Sequence, residues 1–102
     1  MANLIIVYWR DIPSEVIVKS GRRQAARREL SEKFIRAIDT AAMHAGARSD
    51  DAYLAEWRRS DPVPCGDDLE AEAEAAASRL ENEYDTHRLA VLAKHDGRES
   101  KP

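Results

Sequence analysis

Five basic side chains stand close together at Lys19, Arg22, Arg23, Arg27 and Arg28. They surround Gly21, where successive backbone amides can turn toward an anion while guanidinium forks hold a phosphate or carboxylate through paired N–H donors. This cluster is the candidate ligand site, suited to an anionic small molecule bearing a phosphate or a carboxylate. The bland alternative is a solvated basic segment that balances an acidic one. Residues 1–36 hold eight basic and four acidic side chains, whereas residues 65–86 hold one basic and eight acidic. RNA is a third reading and the least favoured. The patch is short and no stacking aromatic is interleaved with it.

Trp9-Arg10-Asp11 and Glu56-Trp57-Arg58-Arg59 repeat an aromatic–arginine pairing. Arginine stacks on an indole while its fork holds a carboxylate, so each string could line a pocket. The same types close sheet edges and form the hot spots of protein interfaces. The candidate interface set is Ile5, Val7, Trp9, Arg10, Tyr53 and Trp57. Cys65 precedes a helix start, which favours a thiolate, but with no placed base it reads as a buried or incidental thiol. His44, His87 and His95 lack zinc-like spacing with each other or with Cys65. No metal, cofactor or catalytic residue is assigned, and no nucleophile-elbow, phosphate-loop or dinucleotide fingerprint occurs.

The elements that would position these residues follow from periodicity. Asn3 to Arg10 includes Leu4, Ile5, Ile6, Val7, Tyr8 and Trp9, apolar on both alternating sets, which predicts a central strand covered on both faces. A turn over Asp11 to Ser14 leads to a second, antiparallel strand from about Glu15 to Lys19. Arg22 to Glu29 contains helix formers without an apolar stripe, and its state stays open. Leu30, Phe34, Ile38, Ala41 or Ala42, and Ala45 predict a helix capped by Ser31, with Leu30 and Ile35 as a hydrophobic staple and Gly46 at its end. Ala52 to Arg59 is favoured as a strand, although Tyr53, Leu54 and Trp57 also fit a helical turn. Pro62 to Gly66 reads as a connector. A long helix then follows from Asp67, with an Asp67–Glu70 capping box and a stripe Leu69, Ala73, Ala76, Leu80, Tyr84, His87, Val91.

The predicted fold is α+β, with topology β-β-α-β-α. A small, mostly antiparallel three-stranded sheet of order 2-1-3, a split β-α-β unit, carries two helices. If both helices share one face, the other face of the central strand needs a homodimer or a protein partner to cover it; one helix on each face would close the fold on itself. The expected boundaries are one domain over residues 1–97 and a disordered tail over 98–102. With 102 residues, of which 43% are hydrophobic and 17 are alanine, the core is modest. A formal net charge of -3 does not mark a polyanion binder, and the single cysteine permits no internal disulfide. No apolar run reaches membrane-spanning length and no signal-peptide layout opens the chain, so a cytoplasmic protein is expected.

Several strings together resemble a known family. They are Val7-Tyr8-Trp9-Arg10-Asp11-Ile12-Pro13, Val16-Ile17-Val18-Lys19 with Gly21-Arg22, Arg28-Glu29-Leu30, Ala37-Ile38-Asp39 and Tyr53-Leu54-Ala55-Glu56-Trp57. This pattern resembles the small bacterial "virulence factor" domain family, most densely up to Arg59. The family has no established catalytic residues, so none is carried over. Such proteins tend to be encoded with methylenetetrahydrofolate reductase-like and corrinoid methyltransferase proteins, so the resemblance implies a link with one-carbon metabolism. The expected function is a non-catalytic accessory protein that dimerises or docks on a partner through its sheet.

Overall fold

A computed structural model describes residues 2–21, 24–46 and 50–98. The fold is α+β with an antiparallel sheet. Its elements in chain order are β1 (Ala2–Trp9), β2 (Ile12–Ser20), β3 (Gln24–Glu29), α1 (Glu32–His44), α2 (Asp50–Ala55), β4 (Trp57–Arg59), β5 (Val63–Cys65), α3 (Leu69–Glu83) and α4 (Thr86–Lys94). The sheet runs β3-β2-β1-β4, and β5 pairs with the other end of β1 along the same edge as β4. The expected 2-1-3 arrangement is therefore present as β2-β1-β4, inside a sheet of five strands rather than three.

The extra strands are set by pairing with their neighbours in the sheet. Gln24–Glu29 pairs with β2 along its whole length, from Glu15↔Glu29 to Ser20↔Gln24. The open segment is thus a strand from Gln24, while Arg22 and Arg23 lie outside the described residues. Only Ala26 and Leu30 of this stretch are buried, too few to announce a strand by pattern. Asp50–Ala55 is a helix rather than the favoured strand; extended structure begins only at Trp57. Over so short a window the two periods cannot be separated. The supposed connector contains β5, where Cys65 pairs with Ala2.

The long helix predicted from Asp67 is two helices. Asp85 caps α4 by accepting a hydrogen bond from Arg88 N–H at 2.8 Å, and the cap resets the helical phase. Leu89, Leu92 and Ala93 become the buried set, while the predicted stripe members His87 and Val91 face solvent. At the start of α3 the cap is Asp68, not Asp67; it accepts from Ala71 N–H at 3.1 Å. Ser31 occupies the N-cap of α1 but makes no capping bond, because its hydroxyl and N–H both donate to Glu81. Ile35 is 48% exposed, so the staple with Leu30 does not close. Gly46 does follow α1, at φ 76°.

One irregularity governs the sheet. Between Val7↔Glu15 and Tyr8↔Pro13 the register slips, leaving Ser14 as an extra residue in β2. Val16 and Val18 consequently face α3, whereas Ile12 joins Trp9 across the hairpin mouth. The Ser14 carbonyl is not left unpaired; it accepts from Leu30 N–H at 3.0 Å. α3 covers the face bearing Leu4, Ile6, Val16, Val18 and Ala26, and buried Ala73 and Ala76 permit the close approach. α1 and α4 pack together and close the hairpin end, where Phe34 meets Tyr84 with ring centroids 6.0 Å apart.

The C-terminal boundary is firmer than expected. α4 ends in a Schellman motif: Gly97 N–H donates to Leu92 O at 2.8 Å and Asp96 N–H to Ala93 O at 3.2 Å, with Asp96 at φ 64°. Gly97 is buried, and Arg98 pairs with Glu56 at 3.6 Å, so residue 98 belongs to the folded domain. The rest of the predicted tail, 99–102, lies outside the described residues.

Candidate functional site

The two aromatic–arginine strings meet. β1 and β4 pair so that Trp9 lies opposite Trp57 and Tyr8 opposite Arg58. The ion pairs then cross between strings: Arg10 Nε is 3.3 Å from Glu56, and Arg58 NH2 is 3.3 Å from Asp11. Arg58 Cζ lies 4.4 Å from the Tyr8 ring centre and Arg10 Cζ lies 5.0 Å from that of Trp9. The first Trp9-Arg10-Asp11 string thus supplies one acid and one base to the second, which returns the same. Arg10 adopts φ 55°, an uncommon conformation for a side-chain-bearing residue, at the tight turn. The residue is anchored twice: its side-chain NH1 donates to Asp96 O at 2.8 Å, and its backbone N–H donates to Glu56 O at 3.1 Å. Arg10 Nε sits near the Glu56 carboxylate without the alignment of a hydrogen bond.

This meeting corrects the placement of Trp9 on an interface. Trp9 is fully buried, its indole N–H donates to Tyr53 O at 2.9 Å, and its ring stacks on Tyr53 at 5.8 Å. A side chain enclosed in this way cannot reach a partner or pack on a ligand ring. Trp57 is half-buried and meets Tyr53 edge to face at 5.9 Å. Burial and the nearby Asp39 carboxylate push the Tyr53 phenol above its usual range, so it stays neutral. Arg10, with 14% of its side chain exposed, also belongs to the interior edge.

The basic cluster is divided by strand geometry. Successive residues of a strand point to opposite faces, so Arg27 lies opposite Ile17 and Arg28 opposite Val16. Arg28 is taken by α3, at 2.6 Å from Glu70 and 3.2 Å from Glu74, and these acids raise its pKa further. Arg27 pairs with Glu15 at 3.5 Å on the other face, which Lys19 shares by alternation. The described members therefore do not converge on one anion.

Ile5 and Val7 are half-buried, as Tyr53 and Trp57 are, but unlike those two they do not pack against the core cluster. On the face away from α3, Ile5 lies opposite Ile17 and Val7 opposite Glu15 and Arg59. Ile17 is fully buried, yet it stands outside the contiguous core, as do half-buried Ile5 and Val7. The rim of this face carries Glu15 and Glu29 beside Lys19, Arg27 and Arg59.

The Cys65 thiol is pushed up by burial and by the Glu72 and Asp67 carboxylates, the reverse of an activated nucleophile. Its alkylation by iodoacetamide near neutral pH is expected to run several-fold slower than that of free cysteine, rising only as pH passes the raised pKa. A rate at or above that of the free amino acid would contradict this. His44 Nδ1 lies 2.7 Å from Asp96, linking the end of α1 to the α4 cap. Among the described residues no group of three or more His, Cys, Asp or Glu side chains could hold a metal ion. No helix among them is long and apolar enough to cross a membrane.

The crossed strings at β1 and β4 sit inside the stretch that defines the family. The profile of the family described as "Virulence factor" matches residues 7–93, and the chain belongs to that family. No curated protein and no solved structure matches it.

Proposed function

We propose that this Virulence factor domain is a non-catalytic interaction module that pairs with a second copy of itself through the sheet face opposite α3. The observation that carries the reading is the half-buried apolar pair Ile5 and Val7, which lies outside the core shared by α1, α3 and α4. Its neighbours are of both signs, Lys19, Arg27 and Arg59 against Glu15 and Glu29. A two-fold copy can set each acid against a base of its partner, as an isologous interface requires. Partly buried valine and isoleucine supply the apolar centre and the charged rim supplies orientation.

Sedimentation tests this directly. The wild-type chain is expected to dimerise with rising concentration. The double variant Ile5→Glu, Val7→Glu is expected to weaken the dimer at least tenfold while keeping the wild-type circular dichroism, because both positions are half-exposed. A strict monomer at the highest attainable concentration would overturn the reading, as would a dimer unaffected by the substitutions. The link to tetrahydrofolate- and corrinoid-dependent methyl transfer is a narrower proposal. It rests on the family resemblance, and a partner from such a system would use the same face.

A further inference from the structure

We propose that the groove between α1 and α4 binds a small amphipathic anion, an apolar body bearing one carboxylate, phosphate or sulfonate group. The groove is open to solvent on one side and offers about 490 Å³, a volume within the range of small-molecule sites. Its floor is Ala37, Leu89, Ala90 and Ala93. Alanines at three of these four places leave the space, since the larger apolar residues Phe34, Ile38 and Leu92 turn into the core.

The rim has one dominant sign. Lys33, Arg36 and Lys94 line it, Glu32 is the one acid among the described lining residues, and the His44 ring is turned to Asp96 at 2.7 Å. Glu32 is held by Arg36 at 3.0 Å, and Lys33 is drawn toward Glu81, donating to its carbonyl at 3.1 Å. Lys94 has no ion pair among the described residues, so its charge stays available at the groove end. An apolar floor with an uncompensated cation at its edge favours a ligand with an apolar body and an anionic head. Burial of the body supplies affinity, and the head keeps its charge in partial contact with water.

The probes are 8-anilinonaphthalene-1-sulfonate, for fluorescence, and two competitors of equal chain length, dodecanoate and dodecyltrimethylammonium, below their micelle concentrations. Saturable enhancement is expected, displaced by dodecanoate and not by the cation. Ala90 is exposed, so Ala90→Phe fills the groove without entering the core and is expected to weaken binding at least tenfold. The pair Arg36→Glu, Lys94→Glu is expected to lower anion affinity at least fivefold and to transfer preference to the cation. Thermal melts matching wild type establish that both variants are folded. The double variant Ile5→Glu, Val7→Glu should bind the probe as wild type does, which separates this groove from the sheet face. Equal displacement by both competitors, binding unchanged by Ala90→Phe, or loss of binding in the sheet-face variant would overturn the assignment.

Discussion

Trp9→Ala is expected to lower the free energy of unfolding by about 3–5 kcal/mol, the usual cost of deleting a large aromatic from a packed core. For a domain of ordinary stability, about 5–15 kcal/mol, that leaves little margin. The ring is fully buried, stacks on Tyr53 and lies against Gly97. Removing it also strands the Tyr53 carbonyl, which accepts the indole N–H at 2.9 Å. Trp9→Phe retains most of the apolar surface and loses the hydrogen bond, so its cost should be clearly smaller. Urea denaturation followed by far-ultraviolet circular dichroism measures both. A loss below about 1 kcal/mol for Trp9→Ala would mean that the ring is not enclosed by these neighbours.

Gly97→Ala should cost about 2–4 kcal/mol, the sum of a left-handed backbone penalty and overpacking. Gly97 has φ 84°, and a Cβ there would stand 2.9 Å from Trp9 Cζ3 and 3.3 Å from Ala41 Cβ. Its backbone is fixed from both sides, donating to Leu92 O and accepting from Asp11 N–H, each at 2.8 Å. Gly46 is the internal control. It has φ 76°, and a Cβ there would meet nothing within 4 Å, so Gly46→Ala should carry the backbone penalty alone. In a Trp9→Ala background the costs of the two glycine substitutions should draw closer, since the shortest contact is gone and only that with Ala41 is left. Equal effects of Gly97→Ala and Gly46→Ala in the wild-type background would refute the close contact.

Both predictions concern a contact that links β1 to the residue after the last helix, and neither partner advertises it. Trp9 reads from sequence as a residue at a strand end, and Gly97 reads as the last residue before a disordered tail. What encloses them is a contact across the whole chain: Gly97 O receives Asp11 N–H, and Arg10 reaches the Asp96 carbonyl at 2.8 Å. A local window contains no trace of such a pairing. The same holds for Arg28, whose acids Glu70 and Glu74 are supplied by α3. A run of arginines looks like one patch along the chain, but strand alternation sends Arg27 and Arg28 to opposite faces.

Where local physics decides structure, the residues were enough. The β-branched and aromatic runs of β1 and β2, joined by a tight turn, specify an antiparallel hairpin because no other local state suits them. The spacing of Phe34, Ile38 and Ala41 or Ala42 specifies α1, and Gly46 specifies its end. Acid–base pairing between the two aromatic–arginine strings was foreshadowed only as a shared chemistry, since neither string contains its partner. Tertiary structure alone decided that β3 is a strand, that Trp9 is interior while Ile5 and Val7 stay half-buried, and that α1 and α4 leave a groove. The reason is common to all three: each depends on which residues distant in the chain come to lie opposite, and burial and charge compensation are properties of that juxtaposition, while hairpin and helix periodicity are properties of neighbours.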